Sequence, residues 1–209
     1  MIRVWARCIS LFLGVVFLAP VQTQGAAPQS VLLPVEEHLP DVIIDLRYAT
    51  PDNFTRTTVY DPSRARALLR RETILKLRGV VRDLRAQGYR LIILDAYRPR
   101  SAQFKLWSAN PNGDFLADPN EGSRHSRGTT VDVWLADREG RRVEKPSDFD
   151  EFTVRASHHL IWASSVARMH VIILRNAFFK NGFSGVENEW WHYDLKNWKD
   201  FPLLDEEPF

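Results

Sequence analysis

Apolar and polar residues alternate along this chain with two different periods, and the periods divide it into helices and strands. Between Ser63 and Gln87 the apolar positions Ala67, Leu68, Ile74, Leu75, Leu77, Val81 and Leu84 recur at near-helical spacing with Arg, Lys and Glu between them, which predicts an amphipathic helix. Its polar face is rich in arginine (Arg70, Arg71, Arg78, Arg82, Arg85) and reads as a solvated surface. Gly88 is placed to cap it, and Tyr89 to Leu94 is then an apolar run of strand length. Val42 to Tyr48, Thr129 to Leu135 and Trp190 to Leu195 have strand composition, whereas Ser101 to Ala109 and Ser157 to about Met169 read as further helices. The turn residues Ala49 to Asn53, Asn110 to Gly113 and Arg138 to Arg141 separate these elements. Helices and strands follow one another without regular alternation. That order favours a single α+β domain, mostly antiparallel in its sheet and flanked by helices, over a doubly wound fold.

The first residues break this pattern. Arg3 and Arg7 precede an apolar run from Cys8 to Leu18, and small and polar residues follow through Ala26 and Ala27. The run is too short for the roughly 20 residues that span a bilayer and has the layout of a secretory signal peptide. Residues 1–26 are therefore expected to be an export signal, with 27–209 the working domain at an exported, periplasmic address. Removing the signal takes away two arginines and no acid, so a formal charge of +2 becomes about zero. A neutral chain carries no electrostatic footprint for nucleic acid, and no stable membrane association is expected once the signal is gone. Cys8, the only cysteine, leaves with the signal, which excludes disulfides and a thiol nucleophile from the mature domain.

Two of the six histidines stand in arrangements that suggest metal chemistry. In Ser123-Arg124-His125-Ser126-Arg127-Gly128-Thr129-Thr130-Val131-Asp132 a histidine in a glycine-containing loop is followed by an aspartate inside an apolar strand. Flanked by Val131, Val133 and Trp134, the Asp132 charge needs a cation or strong hydrogen-bond donors if it is buried. In Glu189-Trp190-Trp191-His192 the side-chain period of two would put Glu189 and His192 on opposite faces of a regular strand, so Glu189 is expected on the loop entering it. One of the two can then bind metal while the other stands beside it. Two His and one Asp make three ligands and leave a fourth tetrahedral position for water, from which a free Glu189 can take a proton.

Ser-x-His-x-x-Gly-x-x-x-Asp followed by Glu-x-Trp-His resembles the signature of zinc peptidases that act on D-alanine-terminated cell-wall fragments. Asp45 to Phe54, Asp95-Ala96-Tyr97-Arg98-Pro99, Phe149 to Phe152 and Ser157-His158-His159 are similar, within that group, to the D-alanyl-D-alanine dipeptidases of the VanX type. The resemblance covers about residues 40–197. It implies one zinc ion per chain on His125, Asp132 and His192, with Glu189 as general base and Arg98 polarising the scissile carbonyl. It also implies Ser123, Tyr48 and Asp150 as contacts to the substrate termini, and a small dipeptide as substrate. Thr129-Thr130, Arg56 and Ala96 depart from the family's usual residues and bear on pocket shape. His158 and His159 are expected to be structural, because adjacent residues on a helix diverge by about 100°. The alternatives are a D,D-carboxypeptidase of the same metal chemistry and a zinc-binding module without catalysis.

Overall fold

The computed structural model describes Met1 and residues 31–208, so the expected signal peptide lies outside the described residues apart from Met1. Among the described residues seven strands and four α-helices follow in the order β1 Leu32–Pro34, α1 Val35–His38, β2 Ile43–Ile44, β3 Leu68–Arg70, α2 Arg71–Ala86, β4 Arg90–Asp95, α3 Arg100–Ala109, β5 Thr130–Ala136, α4 Ser165–Lys180, β6 Phe183–Val186 and β7 Glu189–Leu195. The main sheet has five strands in the order β2-β4-β5-β7-β6, and β1 and β3 form a small antiparallel pair. Only β2 with β4 is parallel; the other main-sheet pairings are antiparallel. The fold is the expected α+β class with a mostly antiparallel sheet.

Two long helices cover one face of that sheet. Ile74, Leu77, Val80 and Leu84 of α2 are buried at spacings of three and four, each stabilising the packed state by about 1.5–3 kcal/mol. Phe178 of α4 stacks on Tyr193 of β7 with centroids 4.1 Å apart. Because successive strand residues point to opposite faces, His192 and Asp194 must look away from the helices. That second face is covered by α3, by connecting loops and by a smaller apolar cluster of Tyr48, Val59, Tyr60, Ala102, Leu106 and Leu116.

Several boundaries differ from expectation. The predicted first long helix begins at Arg71, not Ser63, because Leu68–Arg70 pairs with Leu32–Pro34. Arg70 also donates its Nε to Arg127 O, which holds that residue in the extended conformation. The last helix runs from Ser165 to Lys180, not from Ser157. Ser164 is its N-cap, the Oγ accepting from Ala167 N at 3.0 Å, and residues 157–160 form turns in which Leu160 has a φ of +55°. His158 and His159, expected on that helix, are therefore not helical. Of the strand predicted over 42–48 only Ile43–Ile44 pairs, and Arg47–Ala49 turns into a short 3-10 segment.

Candidate metal centre

Three neighbouring strands bring the chemistry together. Cross-strand register sets Asp132 of β5 beside His192 of β7 on one side and Asp95 of β4 on the other. An irregularity between Ile93 and Asp95 turns the Asp95 carboxyl to this point. The loop before β5 supplies His125 from a 3-10 turn, His125–Arg127, that Gly128 ends at φ +70°. Ser126 Oγ donates to Arg98 O at 2.8 Å and Thr73 Oγ1 to Gly128 O at 2.9 Å, so the turn is fastened at both ends.

His125 Nε2, Asp132 Oδ1 and His192 Nδ1 converge, with separations of 3.4, 3.1 and 3.3 Å. The other nitrogen of each ring is already engaged: His125 Nδ1 donates to Ala96 O at 2.8 Å and His192 Nε2 to Asp194 Oδ1 at 3.1 Å. Those bonds select the tautomers whose free lone pairs face Asp132. Ligands about 2.0–2.1 Å from one zinc at tetrahedral angles stand about 3.3 Å apart, so the spacing and the N, N, O donor set fit that ion. Among the described residues these three are the group able to hold a metal; His158 and His159 are not part of it.

Glu189 stands next to this cluster, its Oε2 3.3 Å from His192 Nδ1. It was expected on the loop before the strand, yet it is the first residue of β7. Its convergence with His192 comes from a register shift between Gly185 and Val186, which lets Glu189 pair with Val186 out of regular alternation. Burial pushes its carboxyl up from the ordinary range.

The same cluster forms the inner wall of a cleft of about 240 Å³, also lined by Tyr48, Arg98, Ser123, Phe115, Asp150 and Phe152. All the site residues expected from the sequence thus meet in one place. Asp150 sits at φ +58°; Tyr48 OH donates to its Oδ1 at 3.3 Å, while its buried Oδ2 has no protein partner. Burial first, and then the Asp132 charge, hold the Asp150 carboxyl well above its usual range. Ser123 Oγ accepts from His125 N at 3.2 Å. Sequence reasoning did not single out Asp194, whose Oδ1 also accepts from Thr130 Oγ1 at 2.7 Å and whose Oδ2 accepts from Arg124 Nη1 at 2.6 Å. It also missed Tyr60, Asp95 and Gln103, which surround Arg98. Asp194 lies two residues beyond His192, and that spacing on one strand face was the available signal.

Comparison with known proteins agrees with this geometry. A family model described as D-ala-D-ala dipeptidase, Peptidase_M15, matches residues 29–205. The chain belongs to the Peptidase_M15 family. This M15 peptidase is a zinc metallopeptidase by that membership and by the fit of its donor set. It is 36% identical over 165 residues to a D-alanyl-D-alanine dipeptidase of Escherichia coli (strain K12), covering 79% of this chain and 84% of that one. A protein of the same name from Enterococcus faecalis is 32% identical over 180 residues, covering 77% and 89%. One from Streptomyces coelicolor is 31% identical over 199 residues, covering 81% and 96%. A solved vancomycin resistance D,D-dipeptidase, VanXYg, in complex with a D-Ala-D-Ala phosphinate analogue, is 16% identical at a TM-score of 0.42, covering 81% of this chain and 69% of that one, too loose a likeness to bear on the site.

Proposed function

We propose that this M15 peptidase hydrolyses free D-alanyl-D-alanine to two D-alanines, with zinc on His125, Asp132 and His192. The observation that carries this reading is the convergence of three lone pairs beside an unliganded carboxylate, Glu189, at 3.3 Å from His192 Nδ1. When bound, zinc supplies a Lewis acid that lowers the pKa of water toward neutrality and polarises a carbonyl. Glu189 takes a proton from the attacking water as its oxygen bonds to the peptide carbon. It returns that proton to the leaving amine as the C–N bond breaks. Arg98, permanently charged and buried, faces the carbonyl oxygen as negative charge develops there. The raised pKa of a buried base suits it to carry a proton in this way.

Asp150 favours a dipeptide over a longer stem peptide. Its unpartnered Oδ2 suits an ammonium group, which a substrate offers only when its amino end is free. Ser123, which also lines the cleft, suits the terminal carboxylate. The expected signal peptide favours action outside the inner membrane, on dipeptide released from the wall, over clearance of a cytoplasmic precursor. The test is release of D-alanine by the zinc-loaded protein from D-Ala-D-Ala and from a pentapeptide ending in D-Ala-D-Ala, each with and without chelator. Chelator-sensitive cleavage of the dipeptide alone is expected; release from the pentapeptide would make the protein a D,D-carboxypeptidase.

A further inference from the structure

Asp95 and Asp132 lie opposite each other on β4 and β5, both buried, an arrangement of like charges that is unfavourable unless a cation stands between them. Arg98 is that cation. Its Nε and Nη2 donate to Asp95 Oδ2 at 3.0 and 2.8 Å, while Nη2 is 3.6 Å from Asp132 Oδ2. Nη1 donates to Gln103 Oε1 at 2.9 Å. Tyr60 OH donates to the other oxygen of Asp95 at 2.7 Å, and the guanidinium lies over the Tyr48 ring at 5.0 Å. Tyr60 itself is fixed by its backbone N donating to Tyr48 O at 2.9 Å. Gln103 is fully buried and donates its Nε2 to Ala117 O at 2.7 Å.

A guanidinium has five N–H bonds. Asp95 takes one from Nε and one from Nη2, and Gln103 takes one from Nη1, so the donors on that side of the guanidinium are engaged by protein. We propose that Asp95, Tyr60 and Gln103 are positioning residues for Arg98: Asp95 and Gln103 occupy its inner donors and Tyr60 fixes the Asp95 carboxylate, so that the outer edge of the guanidinium faces the cleft. Asp95 has a second task. By holding Nη2 at 2.8 Å it keeps the guanidinium from closing on Asp132, whose carboxylate is needed by the metal.

This proposal rests on the assignment of Arg98 to the carbonyl oxygen, and the experiment separates the two. Tyr60→Phe and Gln103→Met are each made in the parent and in an Arg98→Lys background. Lysine keeps the charge between the two aspartates but offers no planar fork to orient. In the parent each is expected to lower kcat for D-Ala-D-Ala about tenfold, the loss of one hydrogen bond to a charged group, with KM changed less than twofold. Affinity for a tetrahedral phosphinate dipeptide should fall by the same factor, with zinc content and Tm unchanged. In the lysine background both changes should move kcat less than twofold. Asp95→Asn should lower kcat further and also reduce zinc content. An equal tenfold loss in the lysine background, or a loss of Tm and zinc that tracks kcat in Tyr60→Phe, would overturn the positioning role alone. An Arg98→Lys protein as fast as the parent would instead overturn the assignment of Arg98 and the positioning role with it.

Discussion

His192 meets three carboxylates at once. Its Nδ1 faces Asp132 and Glu189 at 3.1 and 3.3 Å and its Nε2 donates to Asp194 at 3.1 Å. Of the three, Asp132 also lies within 3.4 Å of His125 Nε2, which suits it to a ligand's place and Glu189 to a neighbour's. Glu189→Gln is therefore expected to retain zinc and lose about 10²–10⁴-fold in turnover, whereas His192→Ala loses both. Metal content by mass spectrometry beside kcat decides it, and equal zinc loss in the two variants would make Glu189 a ligand. Asp194→Asn keeps the shape but removes the charge behind His192, so zinc affinity should fall about 10–100-fold in a competitive chelator titration. An unchanged affinity would mean that Asp194 serves Arg124 and Thr130 alone. That His125, Asp132, His192 and Glu189 come together was legible in the sequence, through two short motifs and their resemblance to a family, because metal hydrolysis needs few residue types at defined spacings. Asp95 was not, since its nearness to Asp132 depends on a strand irregularity that no local pattern announces.

At the scale of elements, the connections place the site as much as the strands do. The turn that presents His125 ends at Gly128 with φ +70°, where a Cβ would lie 2.7 Å from Leu32 Cδ2 and 3.2 Å from Arg70 Cγ. Both neighbours belong to the small β1–β3 pair, so a side chain here would press the ligand turn away from its support. Gly128→Ala is expected to destabilise by about 1–2 kcal/mol from backbone strain alone. It should also weaken zinc retention, because His125 rides on that turn. Denaturant unfolding and metal content check this, and a variant as stable as the parent would show that the turn relaxes freely. The helices illustrate what spacing can and cannot tell. The apolar period found the body of α2, but pairing with β1 cut away its predicted start, a tertiary contact overriding local propensity. For α4 the Ser164 cap was a readable signal, and the helix extends through the aromatic residues to Lys180.

For the whole molecule, the metal group and the apolar core are separate. The core lies between the sheet and the layer of α2 and α4, whereas the ligands project from the opposite face. His125 and His192 keep protein partners on their second nitrogens, Ala96 O and Asp194, which do not depend on an ion. The secondary structure should therefore survive chelation, unlike that of a small domain whose fold is built on zinc. The site itself should not be indifferent to metal loss, because Asp132, Asp95 and Glu189 would then share a buried space with Arg98 and two imidazoles. Binding to the folded state alone at about 1,000 times Kd contributes about 4 kcal/mol. For a chain of this size that corresponds to a Tm rise of about 8–16 °C. Far-UV circular dichroism of the chelated protein should match the zinc-loaded spectrum at 25 °C, with the melting point lower by that amount and turnover restored on adding zinc. Loss of the helical signal on chelation would show that the metal holds the sheet together, and an unmoved melting point would show that these three residues bind it only weakly.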